Sequence, residues 1–112
     1  MIDARALGHR ACWGEQRHRA AIVHQLAAVV VLGSVTDIDV LRKMKVPIFA
    51  KNVSCLTTRQ EGESQVEFDQ TIRFADTNID TGDIMIGDAD GVFILKPDIA
   101  AQYQKQFKNM QD

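Results

Sequence analysis

The residue of this sequence best placed to do chemistry is an aspartate that follows a short apolar run. The run covers residues 28–32, Gly33 is expected to end it, and Asp37 follows four residues later. A carboxylate in this position can cap the helix predicted over residues 38–44, which needs no ligand. It can also hold a hard divalent cation, because such ions prefer oxygen ligands. The residues alone leave both interpretations open.

The other residues with reactive or metal-ligating side chains predict no second site. The spacing of the three histidines is not that of a zinc site, and the two cysteines, Cys12 and Cys55, lie far apart. Two unpaired thiols are typical of a cytosolic protein. Asp83, Asp88 and Asp90 surround a turn but lack the remaining ligands of an EF-hand loop. We therefore interpret these aspartates as turn-forming residues.

The elements that must position Asp37 alternate between strands and helices. Helices are predicted over residues 14–27 and 38–44 and from Pro97 onward, and strands over 28–32, 47–51, 84–87 and 91–95. A strand ends near residue 2, residues 54–64 form an exposed connection, and residues 65–74 form a hairpin with a bulge near residues 69–70. The last helix carries apolar residues at helical spacing, which pack on the domain or on a neighbouring subunit: Ile99, Tyr103, Phe107 and Met110. This alternation predicts an α/β fold with some parallel pairing.

Length and composition restrict the class of protein further. With 112 residues, 46% of them hydrophobic and 25% charged, the chain is expected to form one soluble domain. A net charge of −2 gives no electrostatic reason to expect nucleic acid as a partner. The longest apolar run is too short to cross a bilayer and no signal peptide opens the chain, so we expect a cytoplasmic location.

Three ordered blocks of the chain resemble the RraA-like family. Residues 82–97, GDIMIGDADGVFILKP, are similar to its signature GDxVxxDxDGVxVxxP. Residues 13–15, WGE, resemble a loop that opens a helix in the family. Residues 33–37, GSVTD, with Leu41 and the run PIFA at 47–50, resemble the family segment DGxVRDxxxL…PVFA. The family includes 4-hydroxy-4-methyl-2-oxoglutarate aldolases with oxaloacetate decarboxylase activity, and it was formerly labelled demethylmenaquinone methyltransferase.

The resemblance implies a layered α/β sandwich with a swivelling-domain-like ββα core. It implies a single domain over residues 1–112 that lacks the N-terminal part of the family, and a homotrimer with active sites at subunit interfaces. Methyl transfer is disfavoured, because the sequence has no glycine-rich strand–turn–helix loop for a nucleotide-like cofactor.

The resemblance also assigns roles to residues. Asp37 would hold a divalent metal, Mg²⁺ or alternatively Mn²⁺, with water as most other ligands. The backbone of the loop Gly14, Glu15, Gln16 and Arg17 would bind the carboxylate of a 2-oxo acid such as oxaloacetate or pyruvate. The metal would then neutralise the charge of a pyruvate enolate during carbon–carbon cleavage. An ordinary helix start explains the same loop equally well, and Trp13 is expected to pack rather than react.

Two departures from the family pattern bear on activity. Thr36 stands where the family has an arginine that stabilises the enolate, and Leu32 stands where it has an aspartate. We therefore expect an impaired carbon–carbon lyase, and whether the chain is an enzyme stays open. The alternatives are a non-catalytic protein-binding regulator, like the endoribonuclease inhibitors of the family, and a degenerate fragment.

Overall fold

The computed structural model of the chain describes residues 1–58 and 66–111. The chain divides into two compact units, Met1–Ser64 and Gln65–Asp112, which we call the first and second units. Most of the predicted connection over residues 54–64 lies outside the described residues. The expected single domain over residues 1–112 stays a prediction.

The first unit is built on a four-stranded parallel sheet. Its strands are β1 (Ile2–Asp3), β2 (Ala11–Trp13), β3 (Val29–Val35) and β4 (Ile48–Val53), and β3 pairs in parallel with each of the other three. The helices of this unit are α1 (Glu15–Val23) and α2 (Ile38–Leu41), and a short 3₁₀ turn covers Arg5–Leu7. The expected α/β class with parallel pairing is confirmed, whereas β2 was not predicted.

The core of the first unit lies against one face of β3. All seven residues of β3 are buried, and three of its valines pack in one cluster with Ala4, Ala21 and Leu41. The expectation that Gly33 ends this strand is wrong, because β3 continues to Val35. Gly33 serves close packing instead, since a Cβ at this position would lie 2.9 Å from the Cβ of Ala4.

Both helices of the first unit are shorter than predicted. Helix α1 ends at Val23 because Gln25 adopts a left-handed backbone with φ 57°, which breaks the helical path. Helix α2 ends at Leu41. The residues that follow it continue in tighter turns, in which the amides of Lys43 and Met44 bond to carbonyls three residues earlier.

The second unit contains two hairpins and one long helix. The hairpins pair β5 (Ile72–Phe74) with β6 (Thr77–Ile79) and β7 (Ile84–Asp88) with β8 (Gly91–Leu95), and α3 covers Pro97–Gln111. The hairpin predicted over residues 65–74 lies instead at 72–79, because Ala75 and Asp76 make the turn with positive φ. The second hairpin and the start of α3 at Pro97 are confirmed. No residue of α3 is buried within the described chain.

Lys96 links the two hairpins of the second unit. Its ammonium group lies 3.1 Å from the carbonyl oxygen of Asn78, 3.0 Å from Oδ2 of Asp80 and 2.7 Å from Oδ2 of Asp83. The backbone N–H of Asp80 also donates to Asp83, at 2.9 Å. The pKa of Asp83 is lowered by that amide and by Lys96, and the pKa of Asp80 is lowered by hydrogen bonds from Thr71 and Lys96. Both carboxylates are therefore held ionised in the folded chain.

Two of the three signature aspartates form turns, as expected. Asp83 binds the turn through its contact with the amide of Asp80, and Asp88 accepts a hydrogen bond from the N–H of Asp90 at 2.8 Å. Across the described residues, no helix is both long enough and apolar enough to cross a membrane.

Candidate metal and carboxylate site

The candidate site lies where β2 and β3 end. Gly14 follows β2 directly, and Thr36 and Asp37 follow β3. The two strand ends are joined by a hydrogen bond of 2.9 Å from the N–H of Thr36 to the carbonyl oxygen of Trp13. Because parallel strands present their carboxyl ends on one edge of a sheet, this edge is where α/β proteins usually bind ligands.

The carboxylate of Asp37 lies at the N-terminus of α1. Its Oδ2 atom accepts a hydrogen bond of 3.0 Å from the backbone N–H of Glu15, although the two residues are 22 positions apart. Asp37 makes no side-chain capping bond to its own helix, α2. The helix-capping interpretation is therefore correct in kind but wrong in its target: Asp37 caps α1, which follows the neighbouring strand.

The backbone of Asp37 has a conformation that favours this contact. Its φ of 61° and ψ of 37° lie in the left-handed region, which aspartate and asparagine enter more readily than most residues. Backbone conformations of this kind often occur at functional sites, where the surrounding structure holds them. Asp37 is also exposed, so its carboxylate is accessible from solvent.

Gly14 provides the space that the Asp37 carboxylate occupies. A Cβ at this position would lie 2.8 Å from Oδ2 of Asp37 and 3.0 Å from Cγ2 of Thr36. The backbone of Gly14 is extended, with φ −153° and ψ −165°, which any residue can adopt. A glycine is therefore required here by the close approach of Asp37 and not by backbone conformation.

Two backbone amides at the start of α1 remain available beside Asp37. The amide of Glu15 binds Asp37, and the amide of His18 binds the carbonyl oxygen of Gly14 at 3.0 Å. The amides of Gln16 and Arg17 have no partner within the described residues, and both residues are exposed. The side chain of Glu15 is held by Arg19 at 2.6 Å. Of the predicted loop, the N–H groups of Gln16 and Arg17 can therefore still bind an anion.

One side chain at this site, that of Asp37, has a carboxylate oxygen that could bind a hydrated hard cation. The second carboxylate oxygen of Asp37, Oδ1, accepts no hydrogen bond from the residues the structure describes. The same residues contain no group of three histidine, cysteine, aspartate or glutamate side chains that could hold a metal ion. A magnesium ion commonly keeps several waters and takes one or two carboxylates. One carboxylate oxygen fits that chemistry, whereas a structural zinc site needs four protein ligands.

The two departures from the family pattern lie in different environments. Thr36 is half-buried beside Gly14, directly before Asp37. Leu32 lies in the middle of β3, is only 6% exposed and pairs with Asp3 of β1. Only Thr36 therefore lies at the strand end with Asp37, and Leu32 belongs to the buried part of the sheet.

His18 supports the site and was not identified from the sequence. It is completely buried, and its Nδ1 atom accepts a hydrogen bond of 3.0 Å from Nε1 of Trp13. Nδ1 is therefore unprotonated, and Nε2 carries the proton and donates it to the carbonyl oxygen of Val46 at 2.8 Å. Trp13 packs against the core as expected, and its ring is nearly perpendicular to that of His18. These contacts fix the start of α1 and hence the position of its amides.

Cys12 lies one residue before Trp13 and is partly covered by the core. Burial raises the pKa of its thiol, and the positive charge of Arg17 acts in the opposite direction. A raised pKa keeps the thiol protonated at neutral pH, so Cys12 is not an activated nucleophile.

The chain resembles known proteins over most of its length. The family model for RraA-like proteins, described as Aldolase/RraA, matches residues 1–94. An uncharacterized protein of Methanocaldococcus jannaschii is 26% identical over 102 residues, which cover 91% of this chain and 48% of that protein. The chain therefore spans about half the length of this curated relative.

Two solved structures have a similar fold. The first is described as an S-adenosylmethionine:2-dimethylmenaquinone methyltransferase from Geobacillus kaustophilus. It has a TM-score of 0.75 and 23% identity, and the match covers 89% of this chain and 62% of that one. The second is the RNA-processing inhibitor RraA from Thermus thermophilus, with a TM-score of 0.68, 27% identity, and coverage of 80% and 54%. By the match of the family model, this chain belongs to the RraA-like family and has the α/β fold of its structural neighbours.

Proposed function

We propose that this chain is a cytoplasmic, divalent-metal-dependent lyase that acts on 2-oxo acids such as oxaloacetate and releases pyruvate, at a rate reduced by Thr36. The observation that supports the proposal most directly is the position of the Asp37 carboxylate. It is anchored at the N-terminus of α1 by the amide of Glu15, next to the two available amides of Gln16 and Arg17.

The electrostatics of this arrangement favour a cation. Asp37 already places one negative charge at the N-terminus of α1, where the helix dipole stabilises it. A substrate carboxylate that bound the neighbouring amides would bring a second negative charge close to the first, and the two would repel each other. A divalent cation bound to Asp37 would offset this repulsion, so that a substrate carboxylate could bind beside Asp37.

Each residue of the site then has a defined task. Asp37 holds the Mg²⁺ or Mn²⁺ ion, and the N–H groups of Gln16 and Arg17 orient the substrate carboxylate. When bound, the ion supplies Lewis-acid chemistry toward the 2-oxo group. Thr36 cannot replace the arginine that the family resemblance places there, because its side chain is short and uncharged. The loss of one such stabilising group costs about 10²–10³-fold in rate.

The test is oxaloacetate decarboxylation by the purified chain with Mg²⁺, with Asp37→Asn as the matched control. Asparagine tolerates the left-handed backbone and can still accept the hydrogen bond from Glu15, so this variant changes the charge of the ligand with the least effect on folding. Free Mg²⁺ promotes the reaction unaided, so the relevant quantity is the difference between the two proteins. We expect the wild-type chain to exceed Asp37→Asn, and equal rates contradict the proposal.

A second candidate function is a non-catalytic, protein-binding regulator. The specific observation in its favour is the exposed apolar face of α3, on which Tyr103, Phe107 and Met110 are 59%, 61% and 84% exposed. Such a face is typical of an interaction surface. A homotrimer, as the family resemblance implies, or a different protein partner would cover it. A regulator would be folded and oligomeric, and Mg²⁺ would not change its melting temperature, whereas a metal-dependent lyase would be stabilised by Mg²⁺.

A further inference from the structure

The buried imidazole of His18 connects α1 to two other parts of the first unit. Its Nδ1 atom accepts a hydrogen bond of 3.0 Å from Nε1 of Trp13, and its Nε2 atom donates to the carbonyl oxygen of Val46 at 2.8 Å. Trp13 ends β2, and Val46 lies between α2 and β4. The ring is completely buried, so both of these hydrogen bonds are shielded from solvent.

Only the neutral form of the His18 ring fits these two contacts. A proton on Nδ1 would face the indole N–H of Trp13, and two donors cannot form a hydrogen bond with each other. Among the described residues, no other group hydrogen-bonds to the ring. A buried charge without a hydrogen-bond acceptor costs free energy, so protonation favours a state in which the ring and the indole have separated and water reaches Nδ1.

The titratable side chains of the segments around His18 offer no acceptor for the additional proton. They are Glu15, Arg17 and Arg19 of α1, Cys12 of β2, Asp37, Asp39 and Arg42 of α2 and its two ends, and Lys43 and Lys45 before Val46. None of them hydrogen-bonds to the ring, and cations outnumber carboxylates among them. Glu15 is paired with Arg19 at 2.6 Å, and burial raises the pKa of the Cys12 thiol, which keeps it uncharged at neutral pH.

We propose that His18 is a pH-sensitive switch that holds Trp13 and the start of α1 in place when it is neutral and releases Trp13 when it takes up a proton. Gly14 and Glu15 follow Trp13 directly, and the amide of Glu15 binds Asp37. Release of Trp13 therefore loosens the contact between Glu15 and Asp37. The parallel pair of β3 and β4 does not involve the ring and stays intact. The switch acts on the candidate site whatever ligand binds there, so the inference does not rest on the proposed lyase activity.

The test uses the single tryptophan of the chain. Because Trp13 is the only tryptophan, the spectrum of the N–H groups by nuclear magnetic resonance contains one indole signal, which reports its contact with His18. This signal is followed in the full chain from about pH 8 to about pH 5, the interval in which histidine side chains change charge. The ring-nitrogen signals of His9, His18 and His24 and the far-ultraviolet circular dichroism are recorded in parallel.

The expected result is a local transition. The indole signal of Trp13 and the amide signal of Glu15 should shift with the same midpoint as the protonation of the His18 ring, while the far-ultraviolet spectrum is retained. Because the transition takes up one proton, the ratio of the released to the closed state should change by at most about tenfold per pH unit.

Two variants assign the transition to His18. In His18→Asn the side-chain oxygen can still accept the hydrogen bond from Trp13, but asparagine does not titrate, so we expect the transition to disappear. The matched control is the double variant His9→Gln, His24→Gln, which removes the two exposed histidines and should keep the transition.

Four results would overturn the inference: a His18 ring that stays neutral down to about pH 5, an indole signal that does not move when the ring is protonated, loss of the far-ultraviolet spectrum at the same pH, and a transition that persists in His18→Asn. The third of these would show that protonation unfolds the whole chain and does not release Trp13 alone. If His18→Asn does not fold, the comparison of midpoints within the wild-type chain decides the question.

Discussion

Replacing Gly14 by alanine should separate metal binding from folding. The new Cβ would lie 2.8 Å from Oδ2 of Asp37, below the 3.4 Å at which ordinary van der Waals contact begins. The carboxylate must therefore retreat by several tenths of an ångström. Because Glu15 is the next residue after Gly14, the same movement stretches the 3.0 Å hydrogen bond from Glu15 to Asp37.

The expected change in stability is small because two effects oppose each other. Loss of the capping hydrogen bond costs about 1 kcal/mol. Alanine in an extended backbone that it can adopt without strain stabilises the fold by about 0.4–1 kcal/mol, because it reduces the entropy of the unfolded chain. The free energy of unfolding of Gly14→Ala should therefore stay within about 1 kcal/mol of the wild-type value. Metal affinity should fall by about 10–100-fold, as when a group that orients a metal ligand is lost.

The assay is a titration with Mn²⁺ followed by electron paramagnetic resonance, combined with urea unfolding of each protein. Gly33→Ala is the matched control, because its Cβ would collide with Ala4 in the core without contacting Asp37. That variant should lose about 1–3 kcal/mol of stability from overpacking and keep its metal affinity. If Gly14→Ala binds Mn²⁺ as tightly as the wild-type chain while Asp37→Asn does not bind it, the assigned role of Gly14 is wrong.

Three further perturbations have defined outcomes. Lys96→Met should reduce the loss of stability on acidification. Lys96 helps to lower the pKa values of Asp80 and Asp83, so the stability that these two carboxylates contribute is present above about pH 4 and is lost below it. Without Lys96, part of this pH-dependent stability is absent from the start. Urea unfolding at pH 7 and pH 3 measures this, and an unchanged pH dependence contradicts it. Trp13→Phe should lower the free energy of unfolding by about 1–3 kcal/mol, as measured by circular dichroism during urea unfolding, because it leaves the buried Nδ1 of His18 without a hydrogen-bond donor. If Trp13→Phe lowers stability as much in a His18→Phe background as in the wild-type chain, the loss is due to packing and not to this hydrogen bond. Thr36→Arg should raise Mg²⁺-dependent oxaloacetate decarboxylation by about 10²–10³-fold, and no increase would show that the charge alone does not restore the site.

The sequence predicted the elements of the candidate site but not the contact that organises it. The apolar run before Asp37 indicated a buried strand, and the short apolar pattern after it indicated a helix, so Asp37 was correctly placed between β3 and α2. Local patterns relate Asp37 only to the helix that follows it. The observed contact with Glu15 depends on β2 and β3 lying side by side, and β2 has only three residues, too few for a periodic signal.

Boundaries were missed where single residues adopt unusual backbone conformations. Gln25 and Ala75 adopt positive φ although neither is a glycine, an asparagine or an aspartate. Their residue types therefore did not predict the end of α1 or the turn between β5 and β6. At Gly33 we predicted a strand end that does not occur, because a glycine inside a strand usually suggests an end or a bulge. Here it allows close contact with Ala4. Such contacts between distant parts of the chain cannot be inferred from local sequence.

From the environment of Thr36 we expect that the proposed ligand binding and the proposed catalysis can be lost separately at this site. Its backbone N–H joins the ends of β2 and β3, a contact that any residue except proline can make. Its side chain contributes only a methyl group near Gly14. The geometry that holds Asp37 at the start of α1 therefore does not depend on an arginine at this position, and threonine here is compatible with the metal and carboxylate sites that we propose. The charge that would stabilise a developing enolate is absent from this position. We therefore expect Thr36 to lower the reaction rate of 2-oxo acids more than it lowers their affinity in the presence of Mg²⁺.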